Sequence, residues 1–176
     1  MGTRSYIAKQ IAPDQYRTIY CQFDGYLEEV GKNLAAHYNT AQQLDKLLDL
    51  GDLHSLQPKL SPDPSLPHNT SERQRDVTIA FGRDFGCEQC DAAVKSMDEI
   101  LDNPDGVEFV YIFTLDEEWK YFHSDQFCEG MRDLESALDH MGIAFRPNDV
   151  NKELFHEQDE PDGEGEDFSG MGMGGM

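Results

Sequence analysis

The 176-residue chain sets 14 Lys and Arg against 35 Asp and Glu, a formal charge of −21, and such an excess repels phosphate backbones and anionic membrane surfaces. Direct nucleic-acid binding and membrane association are excluded on that ground, while the length suits one domain with a hydrophobic core rather than two. Residues 157–176 hold seven of the carboxylates and no Lys or Arg, so the remaining 28 against 14 keep the body acidic by itself.

Residues 1–10 include Arg4, Lys9 and Gln10 where a signal peptide needs an apolar core, and Tyr6 stands where a myristoylation motif needs Ser or Thr. The expectation is a soluble cytoplasmic protein whose four cysteines, Cys21, Cys87, Cys90 and Cys128, are reduced thiols.

In chain order, 6–9 and 16–23 read as a hairpin about Pro13-Asp14, half-buried, with Ile19, Cys21 and Phe23 on one face at period two. Leu27, Val30, Leu34 and Tyr38 then recur at helical spacing, so 27–38 is a helix with Asp24 as its cap and Glu28 and Glu29 near its positive end. A second helix starts at the capping-box pair Thr40 and Gln43, buries Leu44, Leu47 and Leu48, and stops at Gly51. Pro58, Pro62, Pro64 and Pro67 make 55–75 a loop-like connection between units at 1–54 and 76–148, which are compatible with one shared sheet.

Beyond the connection, Val77, Ile79 and Phe81 form a strand, and Asp91 caps a helix through Leu101 that turns Val94, Met97, Ile100 and Leu101 inward. Residues 107–113 are the most apolar strand and hence central, with 119–122 as hairpin partner across 115–118. Phe127, Met131, Leu134, Leu138 and Met141 trace one face of a last helix ended by Gly142. From 149 onward, acidic residues mixed with Gly and Met cannot bury enough apolar area to offset chain entropy, so 149–176 is expected to be a disordered tail. The expected fold is α+β, a single compact domain over 1–148 with a mainly antiparallel sheet and about four helices.

Three places carry chemistry worth weighing. Asp24 sits at a strand end, within reach of Arg4 across the hairpin and of the Tyr26 phenol, a trio able to bind a polar ligand or transfer protons. The plainer reading is that Asp24 caps the helix and Gly25 makes the turn. Cys87-Glu88-Gln89-Cys90 lies between a strand and a helix, where a thioredoxin-like protein places its redox pair because a helix N-terminus lowers a thiol's pKa. Gly86 in place of Trp, Glu88 opposing a thiolate, and the lack of a β-α unit or proline loop before 107 favour two incidental thiols at a helix start. A zinc site would need two more ligands, and His123 with Cys128 could supply them without the second tight pair of a structural site. Cys128 reads instead as a core residue near Phe127 and Met131, and no metal is expected. No Ser-His-Asp order, phosphate-binding glycine loop or helical His-Glu pair appears, so no cofactor is expected and an enzyme is disfavoured. The acidic surface suits a protein partner with a basic surface, such as a nucleic-acid enzyme whose groove it would occupy.

Met1-Gly2-Thr3-Arg4 with Ile7, Ile19-Tyr20-Cys21-Gln22-Phe23-Asp24-Gly25-Tyr26, Val30-Gly31-Lys32 and Leu50-Gly51-Asp52-Leu53 stand in order along the chain. Arg83-Asp84-Phe85-Gly86, Val110-Tyr111-Ile112-Phe113 and Trp119-Lys120-Tyr121-Phe122 follow them. This ordered set, reaching to about residue 123, resembles a family of small, mostly uncharacterised proteins of tailed bacteriophages and bacteria. The resemblance implies a compact intracellular α/β protein of phage origin, working in the host cytoplasm, and brings no catalytic residues with it. The Cys-x-x-Cys and the acidic tail lie outside the pattern. The functional expectation is a non-enzymatic phage accessory protein acting by contact on a host or phage component. The alternatives are a small-molecule site at Arg4, Asp24 and Tyr26, and a thiol-redox protein using Cys87 and Cys90.

Overall fold

A computed structural model describes residues 3–67 and 74–145. β1 (Ser5–Ala12) and β2 (Gln15–Cys21) pair antiparallel across Pro13-Asp14, as the alternation requires. Period two sends Ile7, Ile19 and Cys21 to one face and Tyr6, Ala8 and Tyr16 to the other. Both sets are buried, so the hairpin runs through the middle of the molecule with a core on each side, not half-buried at its surface.

A π turn (Leu27–Gly31) runs into α1 (Lys32–His37), followed by α2 (Ala41–Leu48) and β3 (Leu53–Ser55), which pairs in parallel with the end of β2. β4 (Ile79–Ala80) lies antiparallel to β3 and leads directly into α3 (Phe81–Phe85). β5 (Ala93–Lys95), α4 (Met97–Asp102), β6 (Phe109–Phe113) and β7 (Trp119–His123) come next. A 3-10 segment (Ser124–Glu129), β8 (Arg132–Asp133) and α5 (Leu134–His140) complete the described chain.

The strands form one mixed sheet in the order β4-β3-β2-β1-β6-β7-β8, with β5 joined to residues 16–18 of β2. β6 is parallel to β1 and antiparallel to β7, and strands from both sides of the 55–75 connection share the sheet, so the fold is α+β. Helices α1, α2 and α5 cover the face of Ile7, Ile19, Tyr111 and Phe113, contributing Leu34, Leu44, Leu47, Leu48, Leu134 and Leu138. The Trp119 indole N–H on that face donates to the Tyr38 carbonyl at 3.1 Å. The opposite face is smaller: Tyr6, Ala8, Tyr16, Val110, Ile112 and Phe122 lie against Ile100 of α4 and Val107.

The α2 signals hold in detail. Thr40 Oγ1 accepts the Gln43 amide, and Gly51 takes the left-handed backbone (φ 78°) that ends the helix. Four other expectations are corrected. Residues 91–95 are not helical, because β2 offers 93–95 a strand partner and Ser96 is the better cap, exchanging hydrogen bonds with Glu99 in a capping box. Val94 and Leu101 are consequently exposed at 55% and 37%. The last helix begins only at Leu134, where the Asp133 carboxylate accepts the Ser136 amide and hydroxyl; Phe127 belongs to the 3-10 segment, and Met131 and Met141 are exposed. The strand expected over 77–81 is cut to Ile79–Ala80, since the Asp84 carboxylate takes the Ala80 amide and Phe81 starts α3. About four helices were expected, whereas five α-helices stand among the described residues beside the π turn and 3-10 segment. The expected disordered tail at 149–176 lies outside the described residues.

Candidate functional site

The turn Phe23-Asp24-Gly25-Tyr26 is anchored from three sides. The Gly25 amide donates to Thr3 O at 2.8 Å, the buried Tyr111 hydroxyl donates to Gly25 O at 2.6 Å, and the Phe23 amide donates to His54 O at 3.1 Å. Asp24, not Gly25, carries the left-handed backbone (φ 58°), as Asp does at modest cost. Gly25 is required by space instead: a Cβ there would stand 2.8 Å from Ser5 Cβ and 2.9 Å from Thr3 O.

The expected cap is absent. Asp24 bonds the following helix through its carbonyl, which accepts the Val30 amide at 3.2 Å, while Tyr26 O accepts Glu29 and Gly31 and opens the π turn. Among the described residues the Asp24 carboxylate meets only the Tyr26 hydroxyl, at 3.4 Å, beyond good O–H···O range, and its charge pushes the Tyr26 phenol up. Arg4 does not join them. Strand alternation puts Arg4 on the Tyr6 face, where its guanidinium lies near Gly106 and only partly offsets the rise that burial imposes on the Tyr20 phenol, whereas the turn packs on the Ser5 and Tyr111 face. No ion pair or hydrogen bond links Arg4 to Asp24 or Tyr26 among the described residues.

Cys87 and Cys90 are joined by a disulfide, so the expectation of four reduced thiols is corrected. They also do not begin a helix. The pair follows the C-terminal end of α3, after Gly86 in the left-handed conformation (φ 75°), and precedes β5, so the helix end near Cys87 is the negative one. The loop is pinned at both ends: the Cys87 amide donates to Phe81 O at 3.0 Å, and Cys90 O accepts the Asp52 amide at 2.6 Å. Gly51 makes the second anchor possible, because any Cβ at that position would overlap the Cys90 carbonyl oxygen. Cys87, Glu88 and Gln89 are exposed and Cys90 is half-buried. Beside the loop, Phe23, His54, Phe81 and Phe85 form a half-buried ring cluster, with His54 centroids 4.7 Å from Phe23 and 5.8 Å from Phe85.

The zinc candidates are dispersed. His123 closes β7 and Cys87 follows α3 next to β4, with β3, β2, β1 and β6 between them in the sheet. His123 Nδ1 accepts the Asp125 amide, and Cys128, expected in the core, is exposed because the last helix does not reach it. Among the described residues no group of three or more His, Cys, Asp or Glu side chains could hold a metal ion. Cys21, the last residue of β2, is buried in the core with Ile7 and Ile19, and burial pushes its thiol up to about 12.

Two sites escaped the sequence. The first is a recess of about 110 Å³ on the Tyr6 face, lined by Tyr6, Tyr20, Asp52, Asp91, Lys95 and Asp105. The Tyr6 hydroxyl donates to Asp105 at 2.6 Å, and burial, then Asp105, pushes its phenol far up. Lys95 Nζ lies 4.8 Å over the Tyr6 ring. Burial raises the Asp52 carboxyl although it accepts the Tyr20 amide at 2.9 Å. At this size the recess lies below the roughly 300 Å³ where sites for drug-sized ligands begin.

The second is a wide-mouthed groove of about 430 Å³ along α4, lined by Asp98, Glu99, Asp102, Lys95 and Pro104. Elsewhere Lys9 pairs with Asp45, Arg17 with Asp49, Arg83 with Asp84, Lys120 with Asp133 and Arg132 with Glu129. No such pair involves Asp98, Glu99 or Asp102 among the described residues. Only the placement of residues from β5, α4 and the following loop assembles this groove, and the sequence signal for it was the acidic run Asp98, Glu99, Asp102, Asp105.

No family model matches the chain, and no curated protein or solved structure compared with it matches either. Among the described residues no helix is long and apolar enough to cross a membrane.

Proposed function

We propose that this is an accessory protein, of the phage origin its sequence resemblance implies, that acts by binding a protein with a basic surface, and that the α4 groove receives it. The observation that carries the reading is the groove itself, lined by three carboxylates of one short helix, of which Asp98 and Asp102 form no ion pair among the described residues and Glu99 accepts the Ser96 amide, in a chain of net charge −21. Cations of a partner are drawn to such a surface over roughly one Debye length, about 10 Å at 0.1 M salt. Leu101 on the same helix adds an exposed apolar side chain that a contact would cover. The small-molecule reading at Arg4, Asp24 and Tyr26 has no assembled trio to rest on.

Immobilised full-length protein and an Asp98→Lys/Asp102→Lys variant, exposed to host lysate at about 50 mM salt, test the reading. Asp98 stands in the first turn of α4 and Asp102 at its end, so the two changes act oppositely on the helix dipole and leave the fold standing. A basic partner held by the wild type, released by high salt and lost with the variant is the expected outcome. A partner held equally by both proteins refutes the groove, and no partner at low salt refutes the electrostatic reading.

A further inference from the structure

The α4 groove leaves the Cys87–Cys90 loop unexplained. This disulfide closes a sequence separation of three on an exposed loop, and exposed disulfides are the ones that exchange with thiols, whereas structural ones are shielded. Its two sulfurs are not equivalent in their surroundings. Cys87 is exposed between Gly86 and Glu88, while Cys90 is half-buried, its carbonyl fixed against Gly51 and the Asp52 amide. We infer that Cys87–Cys90 is a thiol–disulfide exchange centre that accepts electrons from a dithiol in a basic protein segment, with Cys87 the sulfur attacked and Cys90 the leaving group.

The chemistry balances without another reagent. A substrate thiolate attacks Cys87 Sγ and forms a mixed disulfide; the Cys87–Cys90 bond breaks, its electron pair leaves on Cys90 Sγ, and that sulfur takes a proton from solvent. The substrate's second thiolate then attacks its own sulfur in the mixed disulfide, closing a disulfide in the substrate and releasing Cys87, which is protonated. One dithiol is oxidised and Cys87 and Cys90 are reduced by two electrons. Charge chooses the substrate: Glu88 and Asp91 flank the pair and Asp52 binds its backbone, so an anionic thiol such as glutathione is repelled and a cysteine among lysines is attracted. The Phe81 carbonyl holds the Cys87 end of the loop by accepting its amide at 3.0 Å, and the Phe81 ring packs on that of Phe85. This inference is independent of the α4 groove and stands or falls by different measurements.

The full-length chain in a Cys128→Ser background is the protein to use, since Cys128 is the exposed free thiol and Cys21 is buried. First, thiols are counted after unfolding in alkylating reagent without reductant. One thiol, that of Cys21, is expected; three thiols, persisting after exposure to oxidised glutathione, overturn the inference. Second, the oxidised protein is mixed with reduced glutathione or with a lysine-flanked single-cysteine peptide, quenched in acid and mapped by mass spectrometry. The expected adduct is on Cys87 with a free thiol on Cys90, and the peptide forms it at least about tenfold faster at low salt, an advantage that salt removes. An adduct on Cys90, or no adduct with either probe, overturns the exchange centre. Equal rates for the two probes overturn the basic protein substrate.

Discussion

Replacing Gly51 with Ala tests how the disulfide loop is fastened to the sheet. Gly51 has φ 78°, a backbone that costs an L-residue roughly 1 kcal/mol. Its added Cβ would also overlap the Cys90 carbonyl oxygen, which accepts the Asp52 amide at 2.6 Å. Moving that carbonyl forfeits a hydrogen bond worth about 1 kcal/mol and adds overpacking of about 1 kcal/mol or more, so the total loss is about 3 kcal/mol. For a chain of this size that lowers Tm by roughly 6–12 °C. Gly86 is the control: its φ is 75°, but a Cβ there meets nothing within 4 Å, so Gly86→Ala bears the backbone cost alone. Its Tm should fall by only roughly 2–4 °C. Thermal melts of the three oxidised proteins, followed by circular dichroism, read the difference. Equal losses for the two variants would refute the close approach of the Cys90 loop to the end of α2.

Gly25→Ala should destabilise by about 1–3 kcal/mol through its clash with Ser5 and Thr3, measured as a drop in urea midpoint; a neutral result contradicts the packing of the turn. Arg4→Ala and Tyr26→Phe should each change stability by less than about 0.5 kcal/mol, because neither side chain holds a strong bond at the turn; a large coupled loss in the double variant would restore the Arg4, Asp24 and Tyr26 site. Burial raises the Asp52 carboxyl above its unfolded value, so its contribution to stability is fully present below the ordinary Asp range and is lost as pH rises through the folded value. Asp52→Asn should therefore gain stability relative to wild type at pH 7, with the gain disappearing in urea titrations below the Asp range; a loss at pH 7 would contradict this. Reducing Cys87–Cys90 should cost roughly 2 kcal/mol, the chain-entropy value for so short a loop, leaving a folded protein; unfolding on reduction would make the bond a structural staple.

What the sequence determined by itself was local and periodic. Alternation in 16–23 marked the β1–β2 hairpin, the apolar run 107–113 with its hairpin partner 119–122 marked β6 and β7, and Thr40, Gln43 and Gly51 marked both ends of α2, because each signal lies within a few residues of the element it sets. Where a local signal competed with a distant partner, the partner decided. Residues 91–101 have helical spacing, yet 93–95 became a strand because β2, some 75 positions earlier, had unpaired backbone to offer. Asp24 has the identity of a cap, yet the pull of Thr3 and Tyr111 on Gly25 turned its backbone left-handed and aimed its carbonyl, not its carboxylate, at the helix. The acidic composition predicted an acidic surface, but the α4 groove and the placing of Arg4 and Asp24 on opposite faces exist only once the sheet is assembled. Spacing alone left Cys87 and Cys90 as two thiols; their bond and their position after a helix, rather than before one, came from the tertiary structure, since it is Gly51 and Asp52 that hold Cys90 in place.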